Sequence, residues 1–165
     1  MKIRTDFVTN SSSSSFILAF NDENDIANTL NCCGLTLEEF EFLYNKCMKK
    51  DYQYTLDELV DEVAANEYEY EISWDVWDEY VEKNKLSFSN YMEARDCREA
   101  FFNQEDTKAE IEKRLNQWKV QKKKDYAGYN LYVLMEISDD TQLQSRLECD
   151  IVPNLECCIW SESNH

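Results

Sequence analysis

Three segments of this chain open with the same local pattern, and that pattern limits the fold more than any other feature. Thr36 is followed three residues later by Glu39, Thr55 by Glu58 and Thr107 by Glu110, each ahead of an apolar-periodic stretch. A threonine hydroxyl so placed accepts from an orphan backbone N–H of the first helical turn, and the carboxylate reaches back to the threonine N–H. The spacing predicts a helix from Thr36 to about Lys50, with Leu37, Phe40, Leu43, Tyr44, Cys47 and Met48 on one face. It predicts a second from Thr55, with Leu56, Leu59, Val60 and Val63 inward, and a third from Thr107, with Ile111, Leu115 and Trp118 inward. Further helices are expected over residues 73–84, with Trp77, Tyr80 and Val81 inward, and over residues 89–102. Asn21-Asp22 caps a short helix through Leu30, and Gly34 follows as a stop.

Strand candidates are fewer. Only 2 Gly and 1 Pro occur, too little turn chemistry for an all-β chain. Residues 2–8 alternate well enough for a short strand, and Phe16 to Phe20 is a continuous apolar run suited to a buried one. Residues 129–137 form the best strand pattern, and residues 157–161 a last one. Residues 68–74 are ambiguous, because Glu and aromatic residues alternate there at period two. A short helix is expected over residues 141–147. The fold class predicted is α+β: a predominantly helical single domain, residues 1–165, with a small sheet formed by the N-terminal strand, residues 129–137 and the C-terminal strand.

Between its two apolar segments the N-terminus reads Phe7-Val8-Thr9-Asn10, five serines (Ser11 to Ser15) and Phe16. This resembles an N-terminal signature, roughly F-V-T-N-S-S-S-S-S-F, that opens many otherwise dissimilar bacterial and phage proteins. The resemblance covers about the first 17 residues. It implies a bacterial or phage origin and carries no assigned activity. On the residues alone, the serines form the tip of a hairpin or a loop feeding the strand. Thr9, Asn10, Ser11, Ser12, Ser13 and Ser14 then offer hydroxyls and backbone N–H groups that could cradle a phosphate or another anion.

Charge narrows the function. The net charge is -17 and is uneven: residues 1–82 hold 19 Asp and Glu against 5 Lys and Arg. Binding a nucleic-acid backbone or an anionic membrane directly needs a basic footprint, which this balance opposes. From Asp51 to Glu82 there are 12 acidic residues and no Lys or Arg, interleaved with Tyr52, Tyr54, Tyr68, Tyr70, Trp74, Trp77 and Tyr80. On a helix, Asp75, Asp78, Glu79 and Glu82 share a face at mutually repelling spacings. Three readings follow. The stripe docks a basic partner with aromatic anchors, it imitates the charge of a nucleic-acid backbone and occupies a nucleic-acid-binding protein, or it is a solvated face compensated in part by the basic stretch from Lys108 to Lys124.

Catalytic and metal patterns are sparse. His165 is the one histidine, so no Ser–His or Cys–His pair can be assembled. No phosphate-loop pattern exists, and no cofactor is expected. The seven cysteines include two vicinal pairs, Cys32-Cys33 and Cys157-Cys158. These could meet as a four-thiolate site, but adjacent cysteines chelate tetrahedral zinc poorly, and reduced core thiols are the plainer reading. With no signal-peptide pattern and no apolar span, a cytoplasmic protein is expected.

The function expected is therefore an acidic interaction protein that binds a basic or nucleic-acid-handling protein. Its contact residues would be Asp57, Asp61, Trp74, Asp75, Asp78, Glu79 and Glu82. The alternative is an anion or phosphate binder, or an enzyme, built on the serine loop.

Overall fold

The computed structural model describes residues 13–138 and 140–163. The expected strand over residues 2–8 lies outside them, as do Thr9, Asn10, Ser11, Ser12 and His165. The sequence reads as one domain; the fold gathers into two compact units, Met1–Leu59 with Tyr126–His165, and Val60–Asp125. The class is α+β and predominantly helical, with seven α-helices among the described residues and one four-stranded antiparallel sheet.

The first unit carries the sheet. Strands β1 (Ser13–Phe20), β2 (Gln53–Tyr54), β3 (Leu131–Ser138) and β4 (Cys158–Ser163) lie in the order β2-β3-β1-β4. The N-terminal apolar run thus becomes a central strand. Ser13, Ser14 and Ser15 are drawn into it: Ser13 faces Ser138, Ser14 faces Ile137 and Ser15 faces Glu136 on β3. On the other side, Ser14 faces Ser163 and Ser15 faces Glu162 of β4. Ladder bonds on both sides satisfy backbone groups that a loop would leave to water, and this outweighs the weak strand preference of serine. Strand β2 has two residues, too few for any periodicity to betray it.

Phe16, Leu18 and Phe20 of β1, with Val133, Met135 and Ile137 of β3, build the core. Ile26 and Leu30 of α1 (Glu23–Cys32), and Leu43 and Cys47 of α2 (Leu37–Cys47), pack on that face. On the opposite face Ile17, Ala19, Tyr132 and Leu134 are buried as well, which is why these strands read as continuous rather than alternating apolar runs. Asp22 caps α1 by accepting from Asn24 and Asp25 N–H, and Gly34 follows that helix at φ +70.

The Thr36–Glu39 capping box forms as expected, though α2 stops at Cys47 rather than near Lys50. Leu37, expected inward, is 73% exposed. The buried face centres on Leu43, and six residues at 3.6 per turn put Leu37 about a third of a turn away. Helix α7 is short (Gln142–Arg146); a π-turn over Leu147–Ile151 continues it.

The second unit is helical, and the division between units falls within α3 (Leu56–Val63). The Thr55–Glu58 box opens α3, with both reciprocal bonds present. A π-turn over Ala64–Tyr68 then leads into α4 (Glu69–Asn84). Residues 68–74 are therefore helical, and the strand alternative is excluded. Ile72, Val76 and Tyr80, four residues apart, reach the same core as Trp77 and Phe101, so tertiary packing decides against the local period-two pattern. Ring centroids of Trp77 lie 5.5 Å from Phe101 and 6.0 Å from Phe88, and Tyr80 stacks on Phe101 at 4.2 Å.

Asn90 caps α5 (Tyr91–Phe102) by accepting from Glu93 N–H. The third expected capping box does not form. Helix α6 (Glu105–Asp125) starts two residues before Thr107, which is buried in its first turn. The Gln104 carbonyl already accepts from Lys108 N–H, so the helix is counted from Gln104. Among the described residues, no helix is long and apolar enough to cross a membrane.

Candidate functional site

Helix α4 is a two-sided object. Val76 and Trp77 are buried, while Glu71, Asp75, Asp78, Glu79 and Glu82 are exposed. At about 100° per residue, Glu71, Asp75, Asp78 and Glu82 fall within an arc of roughly 60° and extend along about 16 Å of helix. None of these four side chains has an ion-pair or hydrogen-bond partner among the described residues.

Glu79 behaves differently. Both of its carboxylate oxygens accept from the Arg114 guanidinium, at 2.9 and 2.7 Å, and Arg114 also donates to Glu110 at 2.9 Å. The Arg114 hydrogen bond holds the Glu79 carboxyl below its ordinary pKa. Asp61 accepts from Lys119 at 2.8 Å. Two of the expected contact residues are thus engaged by α6, in the compensating arrangement that the sequence left open. Asp57 is exposed on α3 and belongs to the first unit.

Trp74 is half-buried, and the Arg98 guanidinium lies 4.4 Å from its ring centroid. One side of that ring is already used by a cation of the chain itself. Tyr70, packed edge-on against Trp74 at 5.8 Å, is the open aromatic at 69% exposure. On the helical wheel Tyr70 and Trp74 border one side of the carboxylate stripe, and the Glu79–Arg114 pair borders the other. Tyr70 and Glu71 escape a sequence reading that starts the helix at Ser73. Once α4 starts at Glu69, the four-residue step from Asp75 back to Glu71 exposes both.

The serine segment presents another geometry. Ser14 is buried in β1, and its hydroxyl donates to Glu148 Oε1 at 2.7 Å; Glu148, on the π-turn after α7, is 2% exposed. The Ser14 hydroxyl is thus buried and already given to a side chain of the protein itself, so it is not open to an external anion. Ser13 begins the same strand.

The cysteine pairs meet in part. Cys47 and Cys157 belong to the buried core of the sheet-bearing unit, and Cys33 and Cys158 pack against that core. Cys32 is exposed, and the Cys158 thiol donates to the Trp160 carbonyl at 3.4 Å. Among the described residues no three His, Cys, Asp or Glu side chains converge as a metal ion requires. Burial pushes the Cys47 and Cys157 thiols up to about 12, which makes them poor nucleophiles at neutral pH.

No family model, no curated protein and no solved structure matches this chain.

Proposed function

We propose that this protein is an acidic interaction protein that captures a basic protein partner through the exposed face of α4. A partner that handles nucleic acid fits the reading, since such proteins carry basic surfaces. The observation that carries it is the stripe of Glu71, Asp75, Asp78 and Glu82, which has no paired cation among the described residues on a helix whose neighbouring carboxylate, Glu79, has one.

Like charges three and four residues apart cost an isolated helix about 0.2–0.5 kcal/mol per pair. The stripe contains three such pairs, so α4 forgoes on the order of 1 kcal/mol that alternating charge would recover. Adjacent carboxylates sit closer than the Debye length of about 10 Å at 0.1 M salt, so the stripe acts on an approaching cation as one field. Tyr70 adds apolar area at its edge, the type of side chain that anchors interfaces.

The test is a titration with an arginine-rich peptide, comparing wild type with an Asp75→Lys/Asp78→Lys variant. Binding should be lost in the variant while its thermal melt stays cooperative. Glu79 must be left alone, because a lysine there would face Arg114 and disturb the fold. Equal binding by a folded variant would remove the proposal.

A further inference from the structure

We propose that the groove between α4 and α6 binds a short linear alkyl diamine, a carbon chain carrying an ammonium at each end. The groove lies within the helical unit and has a volume of about 350 Å³. Its apolar lining is the half-buried trio Phe102, Ile111 and Leu115. Two exposed carboxylates border it, Glu69 on α4 and Glu112 on α6. Neither of these side chains has an ion-pair or hydrogen-bond partner among the described residues. This surface is separate from the outward stripe: at about 100° per residue, Glu69 lies roughly 160° round α4 from Glu71.

Spacing selects the ligand. Glu79 holds Arg114, while Tyr68, just ahead of α4, stacks on Trp118 at 4.2 Å, so the two helices run antiparallel. Glu69 therefore stands near the level of Gln117, and Glu112 lies roughly 8 Å further along the axis at about 1.5 Å per residue. That offset matches the separation of the two nitrogens in an extended five-carbon diamine. One ammonium sits against Glu69 and Ser73. The Ser73 hydroxyl donates to the Glu69 carbonyl at 2.6 Å, which leaves its oxygen lone pairs for an incoming N–H. The second ammonium sits against Glu112, and the methylenes between them leave water for Phe102, Ile111 and Leu115.

Lys108 bounds the site. It lies one turn beyond Glu112 on α6, away from the Glu69 end, and Glu105 holds it at 2.8 Å. A third ammonium reaching past Glu112 meets that lysine. The groove therefore favours a diamine over a longer polyamine, the reverse of the ranking by charge that a diffuse acidic surface gives.

The experiment titrates the folded full-length chain with 1,5-diaminopentane at about 0.1 M salt and follows backbone amide shifts. Saturable shifts should cluster at Glu69, Ser73, Phe102, Ile111, Glu112 and Leu115. Glu69→Gln and Glu112→Gln change exposed side chains and should each weaken binding about threefold to fivefold. The two together should remove saturable binding. Pentylamine should bind more weakly than the diamine, and spermine no more tightly. Asp75→Asn with Asp78→Asn removes as much charge from the outward stripe and should bind the diamine as wild type does. Shifts spread over the acidic surface, affinity that rises with ligand charge through spermine, or undiminished binding by the folded Glu69→Gln/Glu112→Gln variant would each overturn the proposal.

Discussion

The two units place their carboxylates in opposite ways. In the sheet-bearing unit, Glu39 and Glu148 are almost wholly buried and engaged: Glu39 accepts from Thr36 N–H and forms an ion pair with the Arg146 guanidinium, and Glu148 accepts from the Ser14 hydroxyl. In the helical unit, Glu71, Asp75, Asp78 and Glu82 are exposed with no side-chain donor among the described residues, a few residues from a glutamate that holds an arginine by both oxygens. A buried carboxylate without partners would be expelled by desolvation, so the first set belongs to the fold. An exposed stripe costs the fold a little and contributes nothing to it, so its use is sought outside the chain.

That contrast can be broken at several points. Phe20→Ala, in the core that holds Glu39 and Glu148 in place, should cost about 3–5 kcal/mol in denaturant unfolding. A loss below about 1 kcal/mol would mean that the sheet is not the centre of that unit. Ser14→Ala removes a buried donor from a buried carboxylate and should cost about 1–3 kcal/mol. Stability unchanged by Ser14→Ala would show that the serine is incidental to Glu148.

Acid should act on the engaged carboxylates. The Thr36 N–H bond, ahead of the Arg146 charge, holds the Glu39 carboxyl below its ordinary 4.5. A folded-state pKa below the unfolded one gives stability that is present above about 4.5 and lost as pH falls through the depressed value. Denaturation midpoints should decline below that pH, and less steeply in Arg146→Ala, whose Glu39 is less depressed. An identical decline in both proteins would dismiss the ion pair as a contributor.

The smallest effect is the most telling. Asp75→Asn with Asp78→Asn should stabilise α4 by a few tenths of a kcal/mol through lost repulsion. The same variant should bind a basic peptide more weakly. A destabilised double variant would mean that these carboxylates have partners in the fold after all.

Much of this was legible because local chemistry and tertiary packing agree at Thr36, Thr55, Asp22 and Gly34, where caps and stops fall where the sequence places them. Residues 131–135 announce a doubly buried strand by their unbroken apolar run. Two of the three failures share a cause: the deciding partner lies far away in sequence. Serine has a weak strand preference, so Ser13 to Ser15 become strand only because β3 and β4 flank them. Residues 68–74 alternate like a strand but bury Ile72 and Trp74 against α5 and α6 residues. Thr107 carries the right spacing yet follows a helix start already set by Gln104. At the site, exposed Asp75, Asp78 and Glu82 could be read from spacing alone, whereas Glu71 could not, because the helix starts at Glu69 rather than at Ser73. That Arg114 occupies Glu79 and Arg98 occupies Trp74 could not, since neither cation is near its partner in the chain.

The contrast between engaged and open carboxylates is tested most directly by the salt dependence of binding. An arginine-rich peptide would be titrated against wild type and Asp75→Lys/Asp78→Lys at low salt and near 1 M, where the Debye length shrinks to about 3 Å. If α4 is a docking face, wild-type binding falls steeply with salt, and the folded variant binds at neither concentration. Binding that ignores salt, or survives charge reversal in a folded variant, would show that the α4 stripe is only a solvated surface.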